Sequence, residues 1–186
     1  PLIEAYLTGK ELKTVAEIDA SVSDLMTSAR LYMYGLQFTY NPHRMILNRV
    51  TDVYLLDADG NRRELEDDKM YRVVADLYSG QMLSAVTKTS YGLLSVVPKK
   101  ADGTTIENFE DVILTNNGGE LKAWTAIAHY MESFPDENGD GIADIPQYYA
   151  GLHERKVVDD SSNLIKLIKN PNKYAVMIAG IVLIAI

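Results

Sequence analysis

The sequence predicts an α+β fold, with short helices packed on an antiparallel-rich sheet. Three observations predict it. Strand-like runs flank a hairpin signal at Asp59-Gly60. Thr8-Gly9-Lys10-Glu11 has the form of a helix-starting capping box. An apolar stripe of helical period runs from Leu121 to Phe134. The 186 residues suit one domain, or one domain with an appendage, and 47% apolar against 24% charged residues suits a packed core.

The elements follow in order. After the capping box, Leu12, Val15 and Ala16 share one helical face, predicting a helix to about Asp19 and a short second one near Val22 to Thr27. Leu31 to Asn41 is aromatic and β-branched and reads as a strand, with Tyr32, Tyr34, Leu36, Phe38 and Tyr40 on one side. Val50 to Leu56 and Tyr71 to Leu77 read as further strands, with a polar return strand within Asn61 to Asp68. Leu83 to Val97 is open between helix and strand. Leu121, Trp124, Ile127, Ala128, Met131 and Phe134 predict a helix over Leu121 to Ser133. No internal repeat is present.

Charge is uneven. Residues 1–154 carry 13 Lys+Arg against 24 Asp+Glu, a balance of −11, whereas residues 155–173 carry five against two, a balance of +3. A surface at −11 repels phosphate backbones, so a basic face for a nucleic-acid polymer is not expected. The absence of cysteine excludes disulfides, thiolate zinc sites and a cysteine nucleophile. His43, His129 and His153 are scattered and read as surface or loop residues.

The ends carry their own signals. The chain opens on Pro1 and shows no signal peptide, the pattern of a processed or truncated N-terminus. Residues 174–186 (YAVMIAGIVLIAI) hold no charge and read as the start of a transmembrane anchor, the alternative being a buried core helix or strand. Residues 155–173 then read as a juxtamembrane linker, broken by Asn170-Pro171-Asn172. Lys166, Lys169 and Lys173 precede the apolar run, and a positive flank usually marks the cytoplasmic side.

One local motif points to a ligand. In Asp136-Glu137-Asn138-Gly139-Asp140-Gly141-Ile142-Ala143-Asp144, oxygen donors at Asp136, Asn138, Asp140 and Asp144, with the Ile142 carbonyl, alternate as in a calcium loop. Glycine stands at the sharp turn. Position twelve is Gln147, where an EF-hand has glutamate, which lowers the expected affinity toward about 10⁻⁴ to 10⁻³ M. The other reading is a solvated acidic turn; in either case the role is structural. The residues alone offer no catalytic set: no nucleophile elbow, P-loop or dinucleotide fingerprint occurs.

Four segments, within residues 2–135, resemble the C-terminal domain of bacterial 5'-nucleotidases: YLTGKELKTVAEI, LYMYGLQFTYN, NRVTDVYL with RRELEDDKMYRVVADLY, and SYGLLSVVPK. The resemblance implies helices outside two facing sheets. It also implies that residues 1–154 form the second half of a substrate-specificity domain. Catalysis would then lie in a two-metal N-terminal metallophosphatase domain absent from this chain, which carries no catalytic site of its own. The family's C-terminal domain grips the nucleoside part of a nucleotide between two aromatic rings, for which Tyr32 and Tyr91 are the candidates here. The whole would hydrolyse nucleotide phosphomonoesters at the bacterial cell surface, outside the cell and held by the apolar anchor. The rival expectation is a non-catalytic, calcium-stabilised, membrane-tethered surface module.

Overall fold

The computed structural model describes residues 1–23, 30–57, 59–89 and 94–184, with the backbone alone for residues 88 and 89. Its first half runs β1 (Leu2–Thr8), α1 (Gly9–Val22), β2 (Leu36–Tyr40), β3 (Val50–Leu56), β4 (Arg62–Glu64), β5 (Met70–Asp76) and α2 (Leu77–Thr89). The second half runs β6 (Thr115–Asn116), β7 (Gly119–Glu120), α3 (Ala123–Glu132), β8 (Lys156–Val158), α4 (Leu164–Ile168) and α5 (Lys173–Ile184). Antiparallel pairings and helices make a mixed α and β architecture. The chain divides into two compact units: residues 1–7 with 70–153, and residues 8–69 with 154–186. One cut of this division falls between residues 153 and 154, and residues 154–186 share a unit with residues 8–69.

In the second of these units, α1 begins as its capping box dictates. The Thr8 amide donates to Glu11 Oε2 at 2.7 Å, and the Glu11 amide donates to Thr8 Oγ1 at 3.2 Å. The helix continues to Val22, past the expected stop, and residues 24–27 of the expected second helix lie outside the described residues. Leu12, Val15, Ala16 and Ile18 are buried, together with Leu36 and Phe38 of β2 and Val53 of β3. The sheet order is β4-β3-β2-β8, antiparallel except for the parallel β2–β8 edge. The strand expected from Leu31 starts only at Leu36, because Gly35 adopts φ +81° immediately before it. Asp57 accepts the amides of Asp59 and Asn61 and closes the predicted β3–β4 hairpin. These bonds hold its carboxyl below the usual range, the Asn61 amide being the main cause.

Buried charge ties this unit together. Glu17 accepts from the Ser21 hydroxyl (2.7 Å) and from the Arg49 and Val50 amides (2.9 and 3.0 Å), clamping α1 to the start of β3. Burial pushes its carboxyl up, and those hydrogen bonds oppose the shift. Arg44 is buried and donates to the carbonyls of Asn48, Lys166 and Lys169, at 2.6, 2.7 and 3.0 Å. Asn172 donates to the Leu47 carbonyl, and its own amide donates to Asn48 Oδ1. The 155–173 segment, expected as a linker, is therefore tied into the unit through β8, Arg44 and Asn172. Tyr174 and Ala175, at the start of α5, are buried. No described helix is long and apolar enough to cross a membrane.

In the other unit, β1 pairs with β5, and Ile3, Ala5, Ile106 and Phe109 form a core with Ala75, Leu77, Val112 and Ile113 against it. Gly80 lets α2 approach this core: a Cβ there would stand 2.4 Å from the Ile3 side chain. The open reading of Leu83 onward resolves as helix as far as Thr89. Asn117 and Gly118, both at positive φ, make the β6–β7 turn. α3 forms where its period predicts, but none of its residues is buried.

Candidate functional site

A short irregular segment leads into β2, and two contacts fix it. The Leu31 amide donates to Asp19 Oδ1 at 2.7 Å, and Lys156 Nζ donates to the Leu31 carbonyl at 2.5 Å. Lys156 also pairs with the buried Asp19 carboxylate at 2.6 Å. The pinned backbone leaves Tyr32 and Tyr34 standing out, 89% and 84% exposed. Each ring carries a cation: Lys156 Nζ is 5.7 Å from the Tyr32 centroid, and the Arg155 guanidinium is 4.9 Å from that of Tyr34. Gly35 then redirects the chain into the sheet.

This surface contains one residue expected from sequence, Tyr32. Tyr91 lies outside the described residues. Tyr34, Arg155 and Lys156 are additions that the sequence does not single out. Tyr34 reads from sequence as a strand residue, and the two cations arrive from β8 and its approach, more than 120 positions along the chain. Exposed rings beside cations can stack on a planar heterocycle and attract its anionic substituent.

The Asp136–Asp144 loop belongs to the other unit and folds on itself. Asp136 accepts the amides of Gly139, Asp140 and Gly141, at 2.7, 3.2 and 2.9 Å. Asp144 accepts the amides of Glu137 and Asn138 and the Asn138 side chain. Asn138 Oδ1 accepts the Asp140 amide, and Asp140 Oδ1 accepts the Ile142 amide. Gly139 and Gly141 supply the positive φ that the turn needs. The donors expected from sequence share one loop, but their oxygens face backbone amides. Among the described residues no group of three or more His, Asp or Glu side chains is placed to hold a metal ion. His129 is exposed, as expected. His43 Nε2 lies 2.8 Å from Asp160, a partner too distant in sequence to foresee. His153 stacks on Tyr148, with centroids 4.2 Å apart.

Residues 1–87 match the family profile described as 5'-nucleotidase, C-terminal domain. Three of the four segments that carried the resemblance fall within this match, and SYGLLSVVPK lies beyond it. Among solved structures, the chain is similar to the NAD nucleotidase of Haemophilus influenzae at 25% identity and a TM-score of 0.37. That similarity covers 42% of this chain and 14% of the other. It is also similar to a 5'-nucleotidase precursor from Thermus thermophilus at 18% identity and a TM-score of 0.47, over 84% of this chain and 25% of the other. The chain thus spans a quarter or less of the length of these structures. No curated protein sequence matches it.

Proposed function

Taking residues 1–87 as the 5'-nucleotidase C-terminal domain that they match, we propose that this chain is the nucleoside-binding part of a nucleotide hydrolase. Hydrolysis of the phosphomonoester belongs to a metal-dependent domain outside this chain, whose ions would activate water. The residues here bind and position the nucleoside. The observation that carries this reading is the pair of exposed rings, Tyr32 and Tyr34, each beside a cation, within the matched segment. Tyr91 would supply the facing ring.

The test is titration of the chain with adenosine, followed by NMR. Stacking contributes about 1–3 kcal/mol per base, so Tyr32→Ala is expected to weaken binding about five-fold or more. Absence of adenosine binding, or parent-like affinity in both Tyr32→Ala and Tyr34→Ala, overturns the reading.

The same proposal includes surface attachment through the apolar 174–186 segment, outside the cell, and a structural calcium ion at Asp136, Asn138, Asp140, Asp144 and the Ile142 carbonyl. The co-location of these donors in one glycine-hinged loop favours calcium, which would take over oxygens now bonded to amides. It equally supports the second reading, a non-catalytic, calcium-stabilised surface module; adenosine binding separates the two. Calcium at about 10 mM, ten times the weakest dissociation constant expected of an extracellular-type loop (about 10⁻³ M), should raise the melting temperature through preferential binding to the folded chain. Asp140→Ala should abolish the rise. An unchanged melting curve in the parent removes the ion from the proposal.

A further inference from the structure

An open cleft of about 410 Å³ lies in the unit that holds α1 and α5. Lys10, Lys13 and Thr14 of α1 form one wall, β3 another, and Asn172, Lys173 and Tyr174 the root of α5. Its polar groups divide into those already bonded and those left over. Glu17 is occupied by Ser21 and the Arg49 and Val50 amides. Asp52 and Glu64 both pair with Arg62, at 2.7 and 2.8 Å. Lys13 pairs with Asp67 at 2.6 Å. The Thr14 hydroxyl donates to the Lys10 carbonyl, and the Thr51 hydroxyl to that of Thr39. Asn172 donates to Leu47, and its side-chain oxygen caps the amides of Tyr174 and Ala175.

Three donors remain. Lys10 makes no ion pair among the described residues and acts on Asp67 only through space. Lys173 sits 4.7 Å from the centroid of the Tyr174 ring. Tyr174 is 4% exposed, and its buried hydroxyl has no hydrogen-bond partner among the described residues. Buried hydroxyls are rarely left so, and an orphan on a residue that lines a cleft points to a ligand that completes it. Two ammoniums and a hydroxyl offer donors to a ligand. The cleft's carboxylates are each neutralised or hydrogen-bonded, so the ligand that fits is an anion with several acceptor oxygens.

We propose that this cleft is a phosphate site, in which Lys10 and Lys173 supply the charge and the Tyr174 hydroxyl donates to a phosphate oxygen. It lies apart from the Tyr32 and Tyr34 surface and does not depend on the nucleoside reading. Its position at the root of the apolar α5 admits two sources of the same chemistry: the phosphate of an acidic lipid headgroup, or phosphate free in solution.

The test uses the full chain in two arms. One titrates inorganic phosphate and reads 31P line broadening and melting temperature. The other compares flotation with vesicles of phosphatidylcholine alone and of phosphatidylcholine with phosphatidylglycerol. Saturable binding is expected in at least one arm. Response to inorganic phosphate identifies the free anion, and response to phosphatidylglycerol alone identifies the headgroup. Lys10→Ala with Lys173→Ala should weaken that binding at least ten-fold. Lys166→Ala with Lys169→Ala, which removes equal charge outside the cleft, should leave it within two-fold. Tyr174→Phe should weaken binding several-fold while the ligand-free chain melts no lower than the parent, since only an unbonded hydroxyl is lost. The proposal is overturned by no binding in either arm, by equal losses in the two lysine pairs, or by parent-like binding in Tyr174→Phe.

Discussion

Helices α1 and α3 carry apolar stripes of comparable clarity and meet opposite fates. α1 buries ten residues, among them Leu12, Val15, Ala16 and Ile18. α3 buries none, and Trp124, Ile127, Tyr130 and Met131 stand exposed. Periodicity in sequence reports that a helix has an apolar face; it does not report that this chain supplies the cover. α1 finds β3 in its own unit, whereas the described residues of α3's unit leave its stripe open. The contrast can be broken experimentally at its buried end, at its charged seam and at its exposed end.

The largest effect belongs to the buried end. Ile18 is 3% exposed in the core between α1 and the sheet. Ile18→Ala removes most of the side chain and leaves a cavity that close-packed neighbours fill only in part, so it should cost about 2–4 kcal/mol. Urea unfolding followed by circular dichroism measures this directly. A loss under about 1 kcal/mol would mean that α1 is no better covered than α3.

The charged seam gives a smaller, pH-dependent effect. Burial raises the Glu17 carboxyl above its ordinary value of 4.5, so the folded state holds its proton more tightly than the unfolded chain. The stability Glu17 contributes is therefore full below pH 4.5 and is lost as pH rises through the raised folded value. Glu17→Gln keeps the shape and cannot ionise. The stability of the parent relative to Glu17→Gln should fall as pH rises above about 4.5, at about 1.4 kcal/mol for each unit of displacement. Urea midpoints of the two chains across the range from about pH 4 to about pH 7 check it. Parallel profiles would show that the hydrogen bonds from Ser21 and the Val50 and Arg49 amides offset burial in full.

What sequence disclosed follows from range. The capping box at Thr8 and Glu11, the Asp59-Gly60 hairpin and the α3 period are local, each decided by residues within a few positions of one another. The late start of the strand expected from Leu31 was hidden because the composition suits a strand throughout, and the positive φ of Gly35 overrides it. The contacts of Arg44 with Lys166 and Lys169, of Asp19 with Lys156, and of His43 with Asp160 join positions more than 115 apart. No local pattern encodes such pairs, so a segment that reads as a linker is tied into a folded unit. The candidate site divides in the same way: Tyr32 was reached through the family resemblance of LYMYGLQFTYN, its local pattern reading only as strand, while Arg155 and Lys156 needed the β2–β8 pairing to bring them there.

The smallest effect sharpens the comparison most. Trp124 is 71% exposed on α3, so Trp124→Ser takes a large apolar surface away from water instead of from a core. Helix propensity changes little between the two residues, and surface substitutions usually stay within about 0.5 kcal/mol. The variant should therefore unfold at nearly the parent midpoint, and its lower apolar exposure should reduce self-association on concentration. Since Trp124 is the chain's one tryptophan, its emission supplies a second reading in the parent: a solvent-exposed indole emits at long wavelength and is readily quenched by iodide. A blue-shifted, protected tryptophan, together with a loss above about 2 kcal/mol in Trp124→Ser, would show that the stripe of α3 is covered in solution. The difference between the two helices would then disappear.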